Sequence, residues 1–166
     1  MKHILFAITL LMAISLAACA PAAQPVAAQG IEPTQVTADN AGEEAVVKEL
    51  VESFGKRLQM VSLLAPNAAQ DIQMQYSDFV SPALLETWMN DVSKAPGRMV
   101  SSPWPDRIEI TSLESESPDR YVVDGFVIEI TSTEMVNGGA ANKIPVHMVV
   151  EREQGHWVIT EYVVEH

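Results

Sequence analysis

Apolar side chains recur three and four positions apart along EEAVVKELVESFGKRLQMVSLLA, at Val47, Leu50, Val51, Phe54, Leu58, Val61 and Ala65. That spacing predicts one face of an amphipathic helix of about six turns. Asn40, with Glu43 three residues on, is placed to cap it, and Glu43 and Glu44 suit the positive N-terminal end of the helix. Pro66 and Asn67 interrupt the pattern, and NAAQDIQMQYSDFV puts Ile72, Tyr76, Phe79 and Val80 on one side of a second helix. Ser81-Pro82 reads as a cap and first-turn proline opening a third, short helix through Leu84, Leu85, Trp88 and Met89.

Beyond Pro96 the period falls to two. Ile108 and Ile110 alternate with Arg107, Glu109 and Thr111, and three β-branched segments follow, RYVVDGFVIEITST, KIPVHMVVERE and HWVITEYVVEH. The intervening ESESPD, MVNGGAAN and QG carry the residues of turns. Three helices, the first long, followed by a four-stranded antiparallel meander predict an α+β domain with the long helix across one sheet face.

The start of the chain has neither period. After Met1-Lys2-His3, the stretch from Ile4 to Ala18 is uncharged. It is shorter than the roughly 20 apolar residues that cross a bilayer, and has the length and flanks of a secretory leader. Residues 20–42 hold three prolines, two glycines and no aromatic residue, the composition of a tether. The expected layout is therefore a leader over 1–18, a flexible segment over 19–42 and a folded domain over 43–166. Fully extended, the segment 20–42 would reach about 75 Å.

Leu16-Ala17-Ala18-Cys19 holds the only cysteine and resembles the lipobox of bacterial lipoproteins. The resemblance implies a diacylglycerol on the Cys19 thiol, cleavage before it, and anchoring to the extracytoplasmic face of a membrane. Ala20, where an aspartate would resemble an inner-membrane retention signal, permits the outer membrane in a Gram-negative cell. With its one thiol so used, the chain has no cysteine for a disulfide or a cysteine-based zinc site. The net charge is −12, and loss of residues 1–18, with one Lys and no acid, lowers it to −13. That charge opposes nucleic acid and, taken as a whole, anionic headgroups, so the lipid is expected to hold the chain unaided.

The order of elements, with the long first helix and long last strands, is similar to the cone-shaped NTF2-like (SnoaL-like) superfamily, also grouped as cystatin-like. A two-layer cystatin-type sandwich gives nearly the same pattern. The NTF2-like resemblance implies a curved sheet and a cone that hosts isomerases, dehydratases and plain binding modules, so function has to come from residues. Asp124 shares a row with Val122, Phe126, Ile128 and Ile130, and Glu161 interrupts Trp157, Ile159 and Val163. Facing an apolar cavity, either carboxylate would be raised toward a general base, with Tyr76 as the nearest oxyanion donor. The bland alternative is that a bulge near Gly125 turns Asp124 to water and that Glu161 sits on an outward face.

No metal or cofactor motif occurs. His147 and Glu151 lie about 13 Å apart along one strand, too far to share an ion; His156 follows a turn and His166 is the last residue. The loop APGRMVSSPWPDR presents Arg98, Ser101, Ser102, Trp104 and Arg107, a candidate grip for an anionic or carbohydrate ligand. Its plainer reading is Trp104 plugging the sheet end, with both arginines paired to acids. The expected function is a lipid-anchored, non-catalytic domain binding a small ligand or an envelope protein. A cone enzyme using Asp124 or Glu161, and an accessory subunit of a membrane machine, are the alternatives; oligomeric state is open, a dimer included.

Overall fold

Ten elements follow one another in a computed structural model that describes residues 34–164. The expected leader, Cys19, the tether up to residue 33 and His166 lie outside the described residues. Helix α1 (Thr34–Arg57) runs into a 3-10 turn (Leu58–Met60), then come α2 (Ala68–Tyr76), α3 (Pro82–Asn90) and a second 3-10 turn (Val92–Lys94). Strands β1 (Trp104–Ser117) and β2 (Arg120–Ile130), the short helix α4 (Ser132–Asn137), β3 (Asn142–Glu153) and β4 (His156–Val164) complete the chain. The strands pair in sequence order, β1-β2-β3-β4, all antiparallel. Helices α1 to α3 pack on one face of this sheet, the α+β layering expected.

The apolar stripe of α1 is buried as its spacing demands: Val47, Val51, Phe54 and Leu58 are all closed to solvent. The boundaries of α1 differ from expectation at both ends. It begins at Thr34, so Asn40 lies inside it rather than capping it, because each residue added to an existing helix gains a bond for little extra ordering. It ends at Arg57 rather than Ala65, because residues 61–63 run extended: Arg98 N donates to Val61 O (2.8 Å) and Leu63 N to Arg98 O (3.0 Å). Gly55 marks where α1 crosses β1, since a Cβ there would sit 2.5 Å from the Ile108 nitrogen. At its other end Glu43 accepts from Trp157 Nε1 (2.6 Å) and pairs with Arg152 (2.7 Å), whose guanidinium lies 4.5 Å from the Trp157 ring centre.

Ser81 caps α3 as expected, its hydroxyl accepting from Leu84 N at 3.2 Å. Helix α2 stops at Tyr76, short of the expected Val80. Residues 79–81 instead edge the sheet, with Ser81 N donating to Ile159 O and Ile159 N to Phe79 O, both at 2.9 Å. Two expected turns are corrected. Most of ESESPD is strand, the reversal being confined to Pro118 and Asp119. Likewise Thr131 ends β2 by capping α4 in a reciprocal box with Glu134, so Met135, Val136 and Asn137 of MVNGGAAN are helix and only residues 138–141 form a loop. Gln154-Gly155 is a two-residue hairpin turn with both φ angles positive (51° and 86°).

Two of the sheet's four bulges bear most on which side chains face the helices. Opposite Asp124 and Gly125, β1 carries Thr111 as an extra residue; opposite Val149 and Val150, β4 carries Thr160. Each inserts one residue, bends its strand and reverses the alternation beyond it. Tyr121, Val123 and Val127 of β2, Val146, Met148 and Val150 of β3, and Trp157 and Ile159 of β4 join the core under the helices. Within it Phe54 sits among Tyr76, Phe79, Trp88 and Tyr162, with ring centres 5.1–6.3 Å away.

Candidate functional site: the cavity at the open end of the sheet

Where β1 and β3 begin and β2 and β4 end, the helices do not close over the sheet. A cavity of about 620 Å³ opens there, between α3 with the following turn and loop on one side and the sheet on the other. Its wall is mostly apolar: Leu58, Leu63, Leu84 and Trp88 on the helical side give way to Val127, Ile144 and Val164 on the sheet. The volume falls within the range of small-molecule sites.

Besides the Trp88 indole, five polar side chains line it, and four already have partners. The Thr87 hydroxyl donates to Ala83 O (2.9 Å), the Ser93 hydroxyl to Asp91 Oδ1 (2.6 Å), and Lys94 pairs with Asp91 at 3.6 Å. Glu129 accepts from Asn142 Nδ2 at 3.0 Å. The fifth is Tyr162, whose hydroxyl is pushed upward by burial alone, with no hydrogen bond or charge among the described residues contributing. It is therefore a neutral phenol at physiological pH, a donor beside an apolar space. Tyr76, the expected oxyanion donor, is already committed: its buried hydroxyl donates to Pro96 O at 2.8 Å. Burial first, and the neighbouring Tyr162 second, push that hydroxyl up as well.

The two acids expected to face inward do not reach this cavity. Asp124 alternates with the core residues Val123 and Tyr121, so it lies on the sheet face turned away from the helices, where its Oδ1 is 2.7 Å from Nδ1 of His147 on β3. Glu161 is exposed on that same outer face because the Thr160 bulge precedes it, and the bulge delivers Tyr162 inward instead. The inward carboxylate is Glu129, two places beyond Val127 on the core row of β2. Counting twos from Tyr121 finds it; choosing the row richer in large aliphatics does not. His147 and Glu151 stay apart, Glu151 being joined to Arg120 at 2.5 Å. Among the described residues no three His, Cys, Asp or Glu gather as metal ligands.

The loop before β1 forms part of the cavity rim, but through Pro96, Gly97 and Met99 rather than through the residues singled out from sequence. Arg98 serves through its backbone, bridging to residues 61–63; Ser101 and Ser102 are exposed, and Trp104 is half-buried at the first position of β1, opposite Ile130. Arg107 is held by Asp106 (2.7 Å) and Glu109 (2.5 Å), which draws the Glu109 carboxyl below its usual range. The five residues do not converge on one ligand position.

No family model matches the chain, and no curated protein matches it. Among solved structures it is similar to a designed NTF2-type protein, 16% identical over 76% of this chain and 99% of the other, with a TM-score of 0.37. It is also similar to the intermembrane space region of the chloroplast protein ARC6, 13% identical over 78% of this chain and 94% of the other, with a TM-score of 0.38. Likeness at this level carries no argument about function; the α+β assignment rests on the strand order and layering themselves.

Proposed function

We propose that the chain is a lipid-anchored, non-catalytic binding domain whose cavity takes a small, largely apolar ligand bearing a hydrogen-bond acceptor. The lipid is the diacylglycerol inferred on Cys19, and the place is the extracytoplasmic face of a bacterial membrane, the outer one in a Gram-negative cell. The observation carrying the ligand reading is the pairing of an apolar cavity of about 620 Å³ with an uncommitted neutral phenol, Tyr162. The side chains of Thr87, Ser93, Lys94 and Glu129 already have partners, so a ligand meets apolar surface plus a phenol that favours a carbonyl or ether oxygen. A cone enzyme working through Asp124 or Glu161 loses its support, because both acids stand on the other face of the sheet.

Prodan, a naphthalene dye with one ketone, is a suitable probe. Its emission should rise and shift to the blue with the wild-type chain. Tyr162→Phe should weaken binding about tenfold, the value of one hydrogen bond. Thr87→Trp, at an exposed position on the wall, should block the dye while leaving circular dichroism unchanged. Equal Prodan binding by the wild-type and Thr87→Trp chains would refute this use of the cavity.

A further inference from the structure

An open sheet has two edges, and this chain protects them unequally. On β1, Asp106, Thr111 and Glu116 stand outside the ladder as bulges, Pro105 has no N–H, and α1 crosses at Ile108 against Gly55. Bulges, proline and a covering helix keep a strand edge from pairing with another chain. On β4 the cover is residues 79–81, which run parallel to the strand and bond to Ile159 alone. Past Ser81 the chain leaves this row as α3.

Register fixes which backbone groups remain beyond Ile159. Ile159 N donates to Phe79 O and Ile159 O accepts from Ser81 N, so both point away from β3. Val150, opposite Ile159, therefore turns its own groups to β2. Strand β3 pairs with β2 without a break from Asn142 to Glu151, so Val146 and Met148 turn the same way. Their opposites on β4, Val164 and Tyr162, consequently direct their backbone groups out from the sheet edge. No other backbone group among the described residues meets them.

This open row borders the cavity. Tyr162, Val163 and Val164 all line it although successive strand side chains point to opposite faces, so the cavity meets β4 along its edge. Donors and acceptors repeating at every second residue, beside an apolar hollow, match an extended polypeptide. At about 3.4 Å per residue, the stretch from Glu161 to Val164 takes about four residues of an added strand. Alternate side chains of that strand enter the space between Tyr162 and Val164 on one side and Leu84, Thr87 and Trp88 on the other. A second copy fits less well. Two such edges overlap over about four residues, far below the roughly 800 Å² per partner of a stable interface. The inward Tyr162 of the second copy would also be packed on its own core already, leaving the cavity unfilled.

We propose that β4 receives a further strand at Tyr162–Val164, an uncharged extended segment of another polypeptide with apolar residues at alternate positions. It continues the row that residues 79–81 begin. The proposal rests on the cavity reading and deepens it: the ligand's acceptors are peptide carbonyls, and its apolar part is the side chains that fill the cavity.

The test titrates acetyl-Thr-Val-Thr-Val-Thr-amide against Prodan bound to the full chain. The peptide should displace the dye. Two further peptides carry N-methyl groups on both valines or, instead, on two threonines. Only one of these sets turns its nitrogens toward β4, so one peptide should compete like the parent and the other at least tenfold more weakly. Loss on methylating the valines reads an antiparallel strand, and loss on methylating the threonines a parallel one. Equal competition by the two methylated peptides overturns the strand pairing, as does bound Prodan that the parent peptide fails to displace; in both cases the cavity reading stands. A dimer in sedimentation that the peptide splits assigns the edge to a second copy, which also overturns the proposal. A wild-type chain that binds no Prodan removes the cavity reading and the added strand together.

Discussion

Two glycines of α1 allow one substitution to be read with opposite signs. At Gly42 a Cβ would meet no atom within 4 Å, whereas at Gly55 it would lie 2.5 Å from the Ile108 nitrogen and 3.0 Å from Ile108 Cγ1. Alanine gains about 1 kcal/mol over glycine in helix propensity at either site. At Gly55 the obstructing atom is backbone of a strand paired on its other side, so it cannot turn aside, and α1 must lift by about 1 Å to restore van der Waals distance. That loosens the contacts of Val51, Phe54 and Leu58 with the core. Overpacking of this kind costs up to about 3 kcal/mol, so Gly55→Ala should be destabilised by about 1–2 kcal/mol net, a fall in Tm of roughly 3–8 °C. Gly42→Ala should instead gain about 0.5–1 kcal/mol. Equilibrium urea unfolding, followed by far-UV circular dichroism on otherwise identical chains, separates the two. A Gly55→Ala chain as stable as wild type would show that α1 does not touch β1 there, and the packing of the helical layer would have to be redrawn.

Tyr76→Phe removes the buried bond to Pro96 O without removing the ring, and should lower stability by about 1–2 kcal/mol in the same urea assay; no loss would mean that the hydroxyl is not bonded to that carbonyl in solution. Acid should loosen the joint between α1 and the hairpin of β3 and β4. The Arg152 hydrogen bond first, then that of Trp157, holds Glu43 below the ordinary carboxylate range. A group lowered on folding stabilises the native state above its unfolded value, about 4.3, and that contribution is lost as pH falls through the folded value. Glu43→Gln should therefore flatten the decline of Tm below about pH 4.3, and superimposable acid limbs for the two chains would contradict the joint.

What the sequence disclosed follows from how local each determinant is. The stripe Val47, Val51, Phe54 and Leu58, the Ser81-Pro82 cap and the Gln154-Gly155 turn each depend on neighbours a few residues away, and all three are found as read. The start of α1 was hidden because Thr, Asp and Asn between 34 and 40 are weak helix formers that follow once a helix exists. The site was hidden for a different reason. Both rows of β2 are apolar, Val122, Phe126 and Ile128 on one side against Tyr121, Val123 and Val127 on the other, so composition does not say which is covered by helices. The bulges at Thr111 and Thr160 carry no warning either, since threonine is an ordinary strand residue. On β2 the choice between two apolar rows decides whether Asp124 or Glu129 faces inward, and on β4 the uncounted Thr160 turns Tyr162 inward and Glu161 outward, as the plainer reading of both acids has it.

The unpaired Thr160 works as a parity switch between two chemistries. Drawn into the ladder, it would exchange its successors, sending the phenol to water and a carboxylate into the hollow between sheet and helices. Whether β4 adds a neutral hydroxyl or a second carboxylate to that hollow, beside Glu129, is thus settled by one uncounted position, with no amino acid replaced.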